Sequence, residues 1–162
     1  MILNTKLAMP VQIFDEWVNG QAENYEYITG EAVAVSSNHK ASWLAAKLLI
    51  LIGVFVLKHK LGRVTGEAGG YKIAGERYIP DVAYISYARQ PELSSEGFLS
   101  NPPDLAVEII SNPSNMMEQK RLRVKISNYL LEGVTVWVIN PDAEEVEIHR
   151  NNHPVEIIGK DG

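Results

Sequence analysis

The run DLAVEII, residues 104–110, decides the fold class of this chain. Apolar residues on both sides of Glu108 are typical of a strand that is buried on both faces. The run YIPDVAYIS, residues 78–86, has the same design, with Asp81 directly after Pro80. An ionised carboxylate in such a place costs several kcal/mol unless it is paired or bound to a cation. Asp81 and Glu108 therefore both require a partner.

Two stretches with helical periodicity flank these strands along the chain. Residues 36–38 offer N-caps for a helix that runs to about Lys60, and a second helix is predicted over Met116–Leu131, closed by Gly133. The apolar stripe of the first helix comprises Trp43, Leu44, Leu48, Leu51 and Ile52. Short β-rich runs fill the remainder. The pattern predicts one α/β domain over residues 1–162, with a central mixed sheet flanked by the two helices.

Composition narrows the chemistry that the chain can perform. The chain has 162 residues and no cysteine, which excludes disulfides, thiolate zinc sites and iron–sulfur clusters. Any metal must therefore be held by oxygen or imidazole. The net charge of −5 counts against a general nucleic-acid coat protein, because nonspecific affinity for phosphates comes from Lys and Arg. Contact with nucleic acid must be local.

The most apolar stretch, residues 43–57, is interrupted by Lys47 and falls short of the roughly 20 apolar residues that a membrane span needs. The run MILNTKLAMPVQ at residues 1–12 lacks the long apolar segment of a signal peptide. We therefore expect a cytoplasmic protein that has no membrane partner.

A pair of carboxylates on neighbouring strands is a typical site for a hard cation. If the strands are adjacent, Asp81 and Glu108 converge on one Mg²⁺ or Mn²⁺, at a site that we expect at one edge of the sheet. Such an ion polarises a phosphate and lowers the pKa of an attacking water, and a nearby lysine orients that water or offsets negative charge. This is the minimum equipment for phosphodiester hydrolysis.

Several ordered motifs resemble the Uma-two (Uma2) family of restriction-endonuclease-like proteins, which is grouped with the PD-(D/E)xK nucleases. They are YEYITGE at 25–31, YIPDVAYI at 78–85, PDLAVEIISNPS at 103–114, the spacing of Lys125, Tyr129 and Gly133, and VWVINP at 136–141. The resemblance implies a restriction-endonuclease-like fold, with Asp81 and Glu108 as the metal-binding carboxylates. The lysine that the motif expects two residues after the glutamate is Ile110 here. Lys125, on the following helix, is the natural substitute, or it belongs with its basic neighbours to a solvated helix face.

Other polar residues are candidates for supporting roles. Glu31, His39 and Glu67 could add ligands or position them, or be ordinary surface residues. The basic residues Lys120, Arg121 and Arg123 could contact the phosphate backbone, or form a solvated helix face.

Two functions remain open. The first is a Mg²⁺- or Mn²⁺-dependent endonuclease that cleaves DNA. The second is a nuclease-fold protein that does not cut and instead binds nucleic acid or another protein, which Ile110, the negative charge and the lack of a target-recognition domain favour. A chain this small has little surface to wrap a duplex, since specific interfaces bury on the order of 1,000 Å². A homodimer is therefore a further hypothesis.

Overall fold

The computed structural model describes residues 7–162, so the first half of the segment inspected for a signal peptide lies outside the described residues. Helix α1 (Val11–Trp17) continues as a 3-10 turn over Val18–Gly20. Helices α2 (His39–Lys58) and α3 (Met116–Leu131) match the two that the sequence predicts. Both begin at asparagine caps, because the side chains of Asn38 and Asn115 accept hydrogen bonds from backbone N–H groups of the first turn.

The strands form two mixed sheets instead of the one central sheet that the sequence predicts. The first sheet has the order β1-β3-β2-β6-β5-β8 and the second β12-β11-β10-β9-β7-β4. The strands of the first are β1 (Leu7–Ala8), β2 (Tyr25–Ile28), β3 (Glu31–Ala34), β5 (Gly70–Ile73), β6 (Glu76–Tyr78) and β8 (Phe98–Leu99). Those of the second are β4 (Gly62–Thr65), β7 (Val82–Ser86), β9 (Leu105–Ile109), β10 (Thr135–Asn140), β11 (Glu145–His149) and β12 (Glu156–Ile158).

The division into two sheets occurs inside residues 78–86, which the sequence predicts to be one strand. The chain leaves the first sheet at Tyr78 and enters the second at Val82. Pro80 lies in this link, and it has no N–H to donate to a strand ladder. Asp81 therefore precedes β7, at the passage between the sheets.

The second sheet is covered on both faces. Val82, Val107 and Ile109 pack towards α2, whereas Ala83 and Ala106 belong to the core shared with α3 and the first sheet. This alternation follows from the period of two along a strand. It points Glu108 to the same face as Ala106, away from α2.

Helix α2 differs from its prediction in which side chains it buries. Leu44, Leu48 and Ile52 pack against the second sheet as expected, but Trp43 and Leu51 lie on the opposite, exposed side. The sequence also predicts that residues 43–57 are too short for a membrane span. The structure does not support this prediction, because α2 is long and apolar enough to cross a membrane, judged by length and composition. Core helices of soluble proteins meet the same description.

Candidate active site

Asp81 lies directly before β7 and is hydrogen-bonded to the neighbouring strand β9. Its backbone N–H donates to the carbonyl of Val107 at 3.0 Å, and its Oδ2 accepts the N–H of Ile109 at 2.7 Å. Val82 then pairs with Val107 in the antiparallel β7–β9 ladder, so the two acidic strands are neighbours, as the hypothesis of a shared site requires. Both strands are interior strands of the second sheet, so the expectation of a site at a sheet edge is wrong.

Glu108 lies on β9 and is buried against α3. Its Oε1 is 2.6 Å from Nζ of Lys125 and accepts the hydroxyl of Tyr129 at 3.0 Å. Both members of the ion pair are almost inaccessible, with 8% of Glu108 and 5% of Lys125 exposed. Lys125 and Tyr129 are four residues apart on α3, a spacing that places them on one face of the helix. Helix α3, which the sequence predicts, thus places Lys125 in contact with Glu108.

A third carboxylate, that of Glu26 on β2, joins this pair. Nζ of Lys125 donates to Oε1 of Glu26 at 2.7 Å, and the same oxygen accepts the N–H of Ile79 at 2.8 Å. Lys125 therefore bridges an acidic residue of each sheet. A buried ammonium of this kind is tolerated because two of its three N–H donors are occupied by charged acceptors.

The site carries more negative than positive charge, because Asp81, Glu26 and Glu108 surround one ammonium. Burial raises the pKa of Asp81 to about 6, while its hydrogen bond from Ile109 and the charge of Lys125 act in the opposite direction. Burial also raises the pKa of Glu108, against the lowering effect of Lys125. Burial would lower the pKa of Lys125, but the Glu108 and Glu26 carboxylates outweigh it and raise that pKa. Lys125 thus remains a cation.

These groups line a cavity of about 130 Å³ between β2, β9 and α3. That volume accommodates several waters or a hydrated ion, at about 30 Å³ for each water. Its charged lining consists of Glu26, Asp81, Glu108, Glu118, Arg121 and Lys125. The lining therefore contributes four carboxylates and two cations.

The donor set suits a hard divalent cation. Asp81 Oδ1 and Glu108 Oε2 make no hydrogen bond to any described residue, and both side chains line the same cavity. No group of three or more acidic or histidine side chains within residues 7–162 could hold a metal unaided. Two carboxylates are nonetheless enough for Mg²⁺, which usually keeps several waters and takes substrate phosphate as a ligand. Asp81 and Glu108 fit that requirement.

Glu118, in the first turn of α3, closes the side of the cavity near Ser36 and Ser111. Its Oε1 accepts hydrogen bonds from the hydroxyls of Ser36 at 2.8 Å and Ser111 at 3.3 Å. Its Oε2 is buried, and no described residue donates a hydrogen bond to it.

The structure separates the other predicted residues into two groups. Arg121 lines the cavity, and Lys120 is exposed beside it on α3. Arg123 instead pairs with Glu147 at 3.0 Å on the outside of the second sheet. Three predicted residues do not line the cavity: Glu31 on β3, His39 at the exposed start of α2, and Glu67 in the turn after β4. The charge of Glu67 nevertheless contributes to the raised pKa of Asp81.

Sequence reasoning missed Glu26, Tyr129 and Glu118 as members of the site. For Glu26 a signal was present, because it interrupts the apolar strand YEYI as Glu108 interrupts DLAVEII. Tyr129 follows Lys125 by one helical turn, so its position could have been inferred once Lys125 was assigned. Glu118 resembles any acidic residue in a first helical turn, and the pattern carries no further signal.

Comparison with known proteins identifies the fold and the family of this chain. A search of curated proteins finds no match. The crystal structure of a protein from Anabaena variabilis ATCC 29413, described as "a putative nuclease belonging to DUF820", superposes with a TM-score of 0.76 at 19% identity, over 94% of this chain and 85% of that one. At this identity the likeness shows the fold alone. The model of the Uma2 family, described as "Putative restriction endonuclease", matches residues 11–160, and the chain therefore belongs to the Uma2 family.

Proposed function

We propose that this protein is an endonuclease that cleaves DNA and depends on Mg²⁺ or Mn²⁺. The observation that carries the proposal is the contact of 2.6 Å between Lys125 Nζ and Glu108 Oε1, in the cavity that Asp81 also lines. Through this contact Lys125, on α3, supplies the positive charge that the motif would otherwise have at position 110, where this chain has Ile110. The family and the fold agree with a nuclease.

Asp81 and Glu108 would hold the dication through their remaining oxygens. When bound, the ion supplies polarisation of the scissile phosphate and a lowered pKa for the attacking water. Glu108 is fixed for this task by Tyr129 and Lys125, and Asp81 by the N–H of Ile109. Each carboxylate thus keeps its orientation before substrate arrives, which is the condition for effective catalysis at a preorganised site.

Lys125 acts as a fixed positive charge in this mechanism. Its raised pKa keeps it protonated at neutral pH, so it is a poor base for removing a proton from water. An ammonium near the scissile phosphate instead donates hydrogen bonds to oxygens on which negative charge develops. Glu26 holds the ammonium in place from the other side, which makes Glu26 a positioning residue.

The basic side chains at the cavity provide a local contact for the phosphate backbone. Arg121 lines the cavity, and Lys120 is exposed next to it. Arg123 is engaged by Glu147, so we expect it to contribute less. Two or three such contacts give modest, salt-dependent affinity, in agreement with a chain whose overall charge is −5.

The test is a cleavage assay on supercoiled, linear and single-stranded DNA, with Mg²⁺, Mn²⁺ or EDTA. We expect cleavage with metal and none with EDTA, Asp81→Ala or Glu108→Ala, while Glu31→Ala keeps its activity because Glu31 does not line the cavity. Cleavage that survives both cavity substitutions would show that the nuclease site lies elsewhere. Activity on RNA in place of DNA would overturn the substrate while leaving the site intact.

One observation favours the alternative of a protein that does not cut. Lys125 already pairs with both Glu26 and Glu108, so the buried charges compensate one another in part without any ion. Such a cluster can be purely structural. A protein that binds DNA but neither binds Mn²⁺ nor cleaves would fit this second function.

A further inference from the structure

Within the described residues 7–162, the side of α2 that faces away from the second sheet is apolar and exposed. Its inner side is packed, with Ala41, Ala45, Gly53 and Val56 buried. Its outer side leaves Trp43 56%, Ile50 64%, Val54 62% and Leu57 73% exposed. A helix that is apolar all round is normally enclosed on all sides. The outer side of α2 is not enclosed by any described residue.

The outer residues follow the spacing of a helix–helix seam. Trp43, Lys47, Ile50, Val54 and Leu57 succeed one another at intervals that alternate between four and three residues. This is the repeat by which one helix packs into another, and a single lysine within such a seam fixes its register. We call these five residues the α2 seam.

We propose that the α2 seam pairs antiparallel with the α2 seam of a second copy of this chain, forming a two-fold dimer. With the axis at Ile50, Ile50 of one copy meets the partner's Ile50, Trp43 meets the partner's Leu57, and Lys47 lies beside the partner's Val54. The aliphatic stem of Lys47 can cover Val54 while its ammonium reaches water. A parallel arrangement would instead place the two Lys47 ammonium groups together, and align the two helix dipoles.

The area is sufficient for such a pair. Each large exposed side chain of the seam leaves on the order of 100 Å² uncovered, and with Leu51 and Phe55 beside it the face offers roughly 600 Å² of apolar surface. A stable interface needs about 800 Å² from each partner, including its polar rim. Ser42 and Lys58 are exposed and provide that rim.

The seam lies on the opposite side of the second sheet from the cavity. Val107 and Ile109 of β9 pack towards α2, whereas Glu108 between them faces α3. Pairing through α2 therefore leaves both cavities open and directed away from each other. The dimer proposal does not depend on the proposed cleavage.

A membrane surface is the main rival for this face, because α2 carries lysines and no acidic residue. A helix that crosses a bilayer by itself exposes all of its sides to lipid. Here one side contacts β4 closely, since a Cβ on Gly53 would lie 3.5 Å from the side chain of Val64. The regular spacing of the seam, with a single lysine within it, favours a helical partner over a lipid surface.

The test is sedimentation of the full chain at micromolar concentration, with variants at exposed positions that leave the fold intact. We expect wild type at twice the 18.0 kDa of one chain. Ile50→Glu and Ile50→Lys should each sediment as monomers, and their mixture should form a dimer again, because the opposite charges meet across the two-fold axis. Leu131→Glu, at an equally exposed residue of α3, should remain dimeric.

Several results would overturn the proposal. They are a monomeric wild type, dimers that persist in both Ile50 variants, or a mixture that stays monomeric although circular dichroism shows each variant folded. Leu57→Glu and Trp43→Lys, at exposed positions that face each other across the interface, repeat the experiment if either Ile50 variant fails to fold. A monomer that co-sediments with anionic phosphatidylglycerol vesicles, and loses this binding in Ile50→Glu, would assign the face to a membrane instead.

Discussion

The ammonium of Lys125 lies 2.6 Å from Oε1 of Glu108, and this contact joins α3 to the central strand of the second sheet. Both groups are buried, and the same ammonium reaches Glu26 of the first sheet. A single ammonium thus contacts two carboxylates that come from different sheets. Fold stability and the candidate site depend on the same three residues.

Replacement of Lys125 by methionine should strongly destabilise the protein. The substitution leaves Glu26 and Glu108 buried without their counter-ion, which typically costs about 3–5 kcal/mol in free energy of unfolding. Urea denaturation measures the effect. Lys120→Met, at an exposed position of the same helix, should change stability by less than about 0.5 kcal/mol. Equal effects of the two substitutions would contradict the burial of the ion pair.

Asp81→Asn should stabilise the metal-free protein at neutral pH. Burial raises the pKa of Asp81 to about 6 from an ordinary value of 3.8, so the folded state binds more protons than the unfolded state between these values. Its contribution to stability is therefore lost as pH rises through that window, by about 3 kcal/mol at most. Denaturation in EDTA should show Asp81→Asn more stable than wild type above about pH 7, with a smaller difference near pH 4. A wild type that is the more stable at neutral pH would refute this.

Tyr129→Phe should weaken the site without removing a charge. The hydroxyl of Tyr129 donates to Glu108 at 3.0 Å, and its loss leaves the carboxylate one donor short in a buried place. We expect about 1–3 kcal/mol of destabilisation and a lower rate of cleavage. Tyr84→Phe, whose hydroxyl makes only a long bond of 3.4 Å to the carbonyl of Leu61, is the matched control for both measurements. The prediction fails if the two variants behave alike.

The close pairing of β4 with β7 gives a test of the fold that is independent of the site. A Cβ on Gly62 would lie 2.0 Å from the carbonyl oxygen of Ile85, and a backbone atom there cannot yield cheaply. Gly62→Ala should therefore cost on the order of 3 kcal/mol. Gly20→Ala, where the added Cβ meets nothing within 4 Å, should leave stability nearly unchanged. Comparable melting temperatures for Gly62→Ala and wild type would count against this strand register.

Local patterns predicted the elements of this fold better than their arrangement. Capping by Asn38 and the glycine at 133 fix the helix ends, and these signals are contained within a few residues. The break at Pro80 was also visible, but apolar residues on both sides of it masked the change of sheet. The separation into two sheets depends on pairings between distant strands, which periodicity does not encode.

The sequence indicated two carboxylates of the candidate site but not the residues that surround them. Asp81 and Glu108 stand out because each interrupts an apolar run. Lys125 and Glu26 lie 99 residues apart in the sequence, and no spacing rule predicts the contact between them. The orientation of Trp43 could not be inferred either, since both sides of α2 are apolar and the sequence does not say which one packs on the sheet.

Calorimetric titration of Mn²⁺ into the protein at about pH 8, where Asp81 is ionised, tests the central claim most directly. We predict binding of one ion per chain to wild type and to Glu31→Gln, and its loss in both Asp81→Asn and Glu108→Gln. Absence of binding to wild type at millimolar Mn²⁺, or equal binding to all four proteins, would contradict a metal centre built on Asp81 and Glu108.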